Sequence, residues 1–283
     1  MKRETKDRNG KRKREGGDRE IFPESSCDEL PEDVLAGRNA VLEALRSGRG
    51  IHRILLAEGS GSIPEILSLA KEKGIAVRYV ERARLGAIAG SLRHQGVLAY
   101  VAPVAYAELE ELLERAEACG TPPLLLLLDG LEDPHNLGAL MRTADAMGVH
   151  GILMPKRRTG PLTATVARTS AGAVEYVPVA RIGNVAQTLK DLKTRGFWVV
   201  GADMEGREAC YEADLTGPMV LVVGSEGKGL SRLTKETCDF LVRIPMHGKI
   251  NSLNASVAGA ILMYEVMKQR MRAAKGVRDS LRK

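Results

Sequence analysis

The sequence predicts an α/β fold, a parallel sheet preceded by a small α/β unit, and three observations carry that prediction. Strand-like and helix-like segments alternate from residue 34 to residue 272, the pattern of a parallel sheet covered by helices on both faces. Residues 124–128 are five consecutive leucines, as expected of a central strand buried on both sides. Gly120-Thr121-Pro122-Pro123 interrupts the alternation and divides the 283 residues into two units, each long enough for a core of its own.

In chain order, residues 1–32 read as a disordered basic tail. Lys11-Arg12-Lys13-Arg14 sits there among Asp, Glu and Gly with almost nothing to bury. It is either a solvated tail or an electrostatic arm for a polyanion. Residues 33–104 form the small unit, with helical spacing over 34–47, 63–73 and 82–89 and strands at 51–57, 75–80 and 96–103. Residues 105–123 make a charged linker helix, 105–119, and the Pro-rich break. The large unit, 124–273, has strands at 124–128, 151–154, 174–179, 197–202, 219–223 and 240–244. Its helices are expected at 134–147, with Asp133 as N-cap and Gly148 closing it, and at 163–169, 185–195, 231–237 and 254–272. A basic tail, 274–283, follows.

Composition narrows the function. An excess of 42 basic over 36 acidic residues suits a polyanionic partner. Only 4% of residues are aromatic, which favours contacts to sugar and phosphate over stacking on bases. Cys27, Cys119, Cys210 and Cys238 lie far apart without a CxxC pair, against a disulfide scaffold or zinc site and in keeping with a reducing cytoplasm. No Asp, Glu, His or Cys cluster has metal-ligand spacing. No apolar run approaches the ~20 residues of a membrane span, and the N-terminal charges lead into no apolar stretch of a secretory signal.

Three loops after strands concentrate the polar residues, where open parallel sheets bind ligands. The first runs from Asp129 through Asn136 to Arg142 and Thr143. Leu137, Leu140, Met141, Ala144 and Met147 form the buried stripe of its helix, which leaves Arg142 on the opposite face. A plain surface Arg is the alternative when this segment stands alone. The second is Gly224-Ser225-Glu226-Gly227-Lys228-Gly229, whose glycines permit positive φ and close backbone approach. It is neither a P-loop, since Lys228 precedes Gly229, nor a dinucleotide fingerprint. The third, Ile244-Pro245-Met246 through Ser252-Leu253-Asn254, leads into an Ala-rich helix. Either Ser252 or Asn254 caps that helix, and the surplus polarity asks for another role.

These loops, in this order and spacing, resemble the three signature motifs of the SpoU branch of the SPOUT RNA methyltransferases. The matching residues are Asn136-x-Gly138-Ala139-x-x-Arg142-Thr143-Ala144, Gly224-Ser225-Glu226-Gly227-x-Gly229-Leu230, and Ile244-Pro245-Met246 with Ser252-Leu253-Asn254-x-Ser256-Val257-Ala258. Gly37-Arg38-Asn39-Ala40-Val41 and His94-Gln95-Gly96-Val97 are similar to the RNA-binding unit that precedes the catalytic domain in ribosomal-RNA, and some transfer-RNA, guanosine 2′-O-methyltransferases.

The resemblance implies a C-terminal trefoil knot, a homodimer, and methyl transfer from S-adenosylmethionine to a ribose 2′-hydroxyl of RNA. Gly224, Ile244, Met246 and Leu253 are then the cofactor-binding residues. Arg142, Asn136, Glu226, Ser252 and Asn254 are the catalytic set. Arg142 activates the hydroxyl either by taking its proton or by stabilising developing charge. Arg38, Arg93 and His94 in the small unit, with Lys156 and Arg168 in the large one, are the RNA contacts, although a solvated basic cluster and a core histidine remain the plain alternatives. A guanosine of large-subunit ribosomal RNA is the expected target. The alternatives are transfer RNA, or an inactive RNA-binding assembly protein.

Overall fold

The computed structural model describes residues 34–59, 63–90, 92–249 and 252–280, with side chains to residue 275. The 1–32 tail, with its Lys11–Arg14 run and Cys27, lies outside the described residues.

The small unit contains β1 (Val34–Ala36), α1 (Arg38–Ser47), β2 (Ile51–Ala57), α2 (Pro64–Glu72), β3 (Val77–Val80), α3 (Arg82–Ala89) and β4 (Val97–Val101), with sheet order β1-β4-β2-β3. Alternation along β2 gives each face a core. Ile54 and Leu56 pack with Val41, Leu45 and Ile66 of α1 and α2, while Leu55 and Ala57 pack with Leu85 and Ala89 of α3. The helix expected from residue 34 begins only at Arg38. Residues 34–36 form an edge strand antiparallel to β4, and Gly37, at φ 106°, turns the chain into α1. A short apolar triplet fits either period, and sheet pairing decided it.

The large unit comprises α4 (Leu109–Ala118), β5 (Leu124–Asp129), α5 (Pro134–Ala146), β6 (Gly151–Pro155), α6 (Ala164–Thr169), a 3-10 turn (Ala173–Glu175), β7 (Val179–Ile182) and α7 (Val185–Thr194). It continues through β8 (Trp198–Ala202), β9 (Glu208–Ala209), β10 (Met219–Gly224), α8 (Arg232–Thr237), β11 (Phe240–Arg243) and α9 (Ala255–Ser280). The sheet order is β7-β6-β5-β10-β8-β11-β9, and every neighbouring pair is parallel. Leucines of the central strand alternate between layers: Leu124, Leu126 and Leu128 join the core beneath α5 and α9, and Leu125 and Leu127 the core beneath α4 and α7.

Four local expectations change. Residues 174–178 are not a strand. Val174 and Val177 are buried through a 3-10 turn entered from Gly172 (φ 96°), and β7 begins at Val179. Helix α4 is a layer of the large sheet, because Leu112 fills the space above Gly151, where a Cβ would lie 2.5 Å from the Leu112 methyl. Strand β9 had too few residues to show a period. Helix α9 runs on to Ser280, through most of the segment read as a basic tail. Near its C-terminal half Arg270 donates to the carbonyls of Pro122 (2.6 Å) and Gly217 (2.7 Å), and burial draws its pKa down to about 10. The Pro-rich break is thereby gripped against the sheet.

The units share a core. Helix α6 packs on β1, α1 packs on the 3-10 turn, and Leu35 and Val41 belong to the same buried cluster as Val174 and Val177.

Gly138 sits where α5 crosses α6, and a Cβ there would lie 1.9 Å from Thr169 Oγ1 and 2.9 Å from the Ser170 nitrogen. Gly138→Ala is expected to cost ~1–3 kcal/mol by overpacking. Urea unfolding checks this, and an unchanged midpoint contradicts the packing assigned to that crossing.

Candidate active site

Register brings the chemical loops to one end of the sheet. Asp129 ends β5 beside Gly224 at the end of β10, and Ala202 at the end of β8 lies beside Val242 in β11. The loops leaving β8, β10 and β11 line a cleft of about 480 Å³.

The first loop is shaped by the cap of α5. Asp133 accepts hydrogen bonds from the His135 nitrogen (3.3 Å) and the Asn136 nitrogen (2.9 Å), with Pro134 in the first turn. That pins Asn136 at the helix start and buries it to 9% exposure. The second loop folds back on itself. The Gly229 nitrogen donates to the Ser225 carbonyl (2.9 Å), and the Ser225 nitrogen donates to the Gly229 carbonyl (3.2 Å). Gly227 and Gly229 take φ of 77° and 62°. A Cβ at Gly224 would sit 2.2 Å from the Gly229 carbonyl carbon, so the turn requires glycine there. Asp129 accepts from the Ser231 nitrogen at 2.8 Å and anchors the far end.

In the third loop Asn254 is the cap of α9: its Oδ1 accepts from the nitrogens of Ser256 (3.0 Å) and Val257 (3.3 Å). Ser252 is left to the cleft wall.

One carboxylate oxygen ties the three loops together. Glu226 Oε1 accepts from Asn136 Nδ2 (3.2 Å), from the Ala255 nitrogen (3.2 Å) and from Asn254 Nδ2, which also donates to Asn136 Oδ1 at 2.9 Å. Of the polar side chains in this set only Asn136 is buried, and its amide finds partners in Glu226 and Asn254, as burial of polar atoms demands.

Gly224, Ile244, Met246 and Leu253, together with Glu226 and Ser252, all line the cleft. Asn136 and Asn254 stand one hydrogen bond away, on Glu226. Arg142 is not brought in: it is exposed on α5, outside the cleft lining of its own chain.

Sequence reasoning missed the loop after β8. Asp203, with 8% of its side chain exposed, pairs with Lys235 Nζ at 2.7 Å, and Glu205 lies 3.3 Å from the same nitrogen. All three line the cleft. The hydrogen bond to Asp203 leads in raising the Lys235 pKa. The available signal was a charged pair directly after a strand, without the glycine and amide density that marked the other loops.

In the small unit Arg38, Arg93 and His94 converge on one turn. The Arg38 nitrogen donates to Gln95 Oε1 (3.1 Å), and its Nε donates to the Gln95 carbonyl (3.2 Å). His94 Nδ1 accepts from the Gly96 nitrogen (3.1 Å), and desolvation, helped by Arg82, pulls its pKa below the ordinary imidazole value. Arg93 is exposed. Lys156 is exposed just past β6, while Arg168 is half-buried on α6, and its Nε makes no hydrogen bond among the described residues.

Residues 123–264 match the model of the SpoU rRNA Methylase family, and residues 34–107 that of the RNA 2′-O ribose methyltransferase substrate-binding domain. A Bacillus subtilis protein assigned to the TrmH family of tRNA/rRNA methyltransferases is 51% identical over 84% of this chain and 96% of its own. Among solved structures, an AdoMet-bound rRNA methyltransferase from Sinorhizobium meliloti is 25% identical with a TM-score of 0.70, covering 83% of this chain and 86% of that one. The SpoU methyltransferase AviRb from Streptomyces viridochromogenes, with AdoMet, shares the fold at a TM-score of 0.71 and 23% identity, over 84% of this chain and 90% of that one.

Glu226→Ala removes the shared acceptor and leaves the Asn136 amide buried without it. The expected cost is ~1–3 kcal/mol, read as a lower urea midpoint, and wild-type stability would contradict the network.

Proposed function

The chain belongs to the SpoU rRNA methylase family of S-adenosylmethionine-dependent RNA 2′-O-ribose methyltransferases, and on that premise we propose that it methylates a guanosine of large-subunit ribosomal RNA. The Glu226 network carries the reading, because it ties the three motif loops together beside one cleft. An inactive assembly protein has no need of that network.

The cleft suits the cofactor. Its volume, about 480 Å³, falls in the usual range of small-ligand sites, roughly 300–1,000 Å³. Val223, Val242 and Leu262 offer an apolar wall, and Asp203, Glu205 and Glu226 offer carboxylates to a ligand with sulfonium and ammonium charges. When bound, S-adenosylmethionine supplies an already activated methyl group. Gly224, Ile244, Met246 and Leu253 would hold it, chiefly through the main chain, so apolar side chains suffice at the last three, while the turn itself sets glycine at 224.

The remaining work is alignment and charge. A guanidinium offers donors and no acceptor site, so the role of Arg142 in this reading is to stabilise the developing alkoxide and the neighbouring phosphate, while the hydroxyl proton passes to phosphate or solvent. Ser252 orients the ribose. Asn136, Glu226 and Asn254 hold the loops.

The reading includes a homodimer. Val257, Ile261 and Tyr264 are 46%, 37% and 52% exposed on one face of α9, continuous with Leu253, a stripe suited to a second copy. Arg142, outside its own cleft, would then serve the cleft of the other copy. A trefoil knot formed by the C-terminal segment also belongs to the proposal. The insertion of β10 between β5 and β8, and the return of Asn254 to Asn136, support it.

Ribosomal RNA is favoured by the substrate-binding unit over 34–107, with Arg38, Arg93, His94, Lys156 and Arg168 as its contacts. No helix among the described residues is long and apolar enough to cross a membrane, and the setting proposed is the cytoplasm.

Transfer of labelled methyl to purified ribosomal and transfer RNAs tests the assignment. The expected product is 2′-O-methylguanosine in large-subunit RNA, and label confined to transfer RNA would replace that target. Arg142→Ala should lower turnover by ~10²–10⁴, and near-normal turnover in a folded dimer would remove Arg142 from the mechanism. Gly224→Ala should weaken S-adenosylmethionine binding at least about tenfold by calorimetry, and unchanged affinity would place the cofactor elsewhere.

A further inference from the structure

The contact between the two units holds a polar cluster that the reaction chemistry does not use. Arg49 follows α1, and its Nη1 lies 2.8 Å from Glu175 Oε1 in the 3-10 turn of the large unit. Its Nε donates to the Ala102 carbonyl, just past β4, at 2.7 Å. Only 8% of the Arg49 side chain and 7% of the Glu175 side chain are exposed. Six residues earlier, on α1, Glu43 accepts from the Tyr176 hydroxyl (2.5 Å), which lifts the tyrosine pKa to about 12. Between these pairs the Glu43 side chain lies against Gly172: a Cβ there would be 2.5 Å from Glu43 Cβ, at a φ of 96° that already demands glycine.

A buried ion pair is a poor source of net stability, because desolvation offsets most of the attraction. It is, however, directional. The apolar contacts of Leu35 and Val41 with Val174 and Val177 would tolerate sliding of α1 over the turn. An arginine fork held at once by a carboxylate and a carbonyl does not.

We propose that Arg49 and Glu175 form a positioning latch that sets the RNA-reading unit at one fixed orientation on the methyltransferase unit. Neither residue touches cofactor or acceptor. The latch acts through the small unit, whose turn at Arg38, Arg93 and His94 adjoins β1, the strand packed on α6 and hence on the element carrying Arg168. A structured RNA that engages both units is then offered to the cleft in a single register. The role in RNA binding rests on the function proposed above, whereas the fixed orientation does not.

The test compares wild type with Arg49→Glu, Glu175→Arg and the double charge swap. Small-angle scattering reads the spread of inter-unit arrangements, and methyl transfer gives kcat and KM for structured RNA. S-adenosylmethionine affinity is the control for an intact large unit. Each single variant should broaden the scattering profile and raise KM about tenfold, with kcat and cofactor affinity near wild type, and the swap, which restores the ion pair but not the bond to the Ala102 carbonyl, should recover part of both. Single variants with wild-type scattering and KM overturn the latch, as does a loss of cofactor affinity that parallels the loss of RNA binding. If wild type methylates no RNA supplied, the functional reading fails, and scattering alone still decides the latch.

Discussion

The site depends on one oxygen atom. Glu226 Oε1 gathers donors from the start of α5 and the start of α9, segments 90 and 28–29 residues from it in the chain. Three loops that leave different strands are thereby tied to one another beside the cleft. Loops are ordinarily the mobile part of an α/β protein. Here the strand register delivers them side by side, and the hydrogen bonds convert proximity into a fixed cleft.

The supporting constraints follow from that arrangement. Glycine at 224 lets the second loop close on Gly229, which aims Glu226 across at the other two. Asp133 and Asn254 each cap a helix, and so orient Asn136 and the first turn of α9. Asn254 performs both tasks with one amide: its oxygen caps, and its nitrogen reaches Asn136 and Glu226. At the opposite end of the sheet, Arg270 fastens α9 to the chain before β5 and before β10. The helix that closes the site is therefore secured at both ends.

Much of this was readable in the residues, for physical reasons that can be named. The five leucines of 124–128 need apolar neighbours on both faces, and the Asp133-Pro134 start of α5 is local capping chemistry. Both appear as expected. Val34–Ala36 and the 174–179 segment were misread because short apolar runs carry no period, and partners distant in sequence chose the conformation. The Glu226 network could be suspected from surplus amides and its motifs, yet its geometry could not. Arg49 and Glu175, 126 residues apart, had no local signal at all. Asp203 and Lys235 meet only because β8 and α8 pack together.

The central claim is that the loops act as a single unit in holding the cofactor. A double-mutant cycle on S-adenosylmethionine affinity, with Asn136→Ala, Asn254→Ala and the pair measured by calorimetry, tests it most directly. Residues in one hydrogen-bonded network should couple by ~0.5–3 kcal/mol, so the pair is predicted to cost clearly less than the sum of the single variants. Costs that simply add, to within about 0.3–0.5 kcal/mol, would show the loops to be independent and would contradict the account.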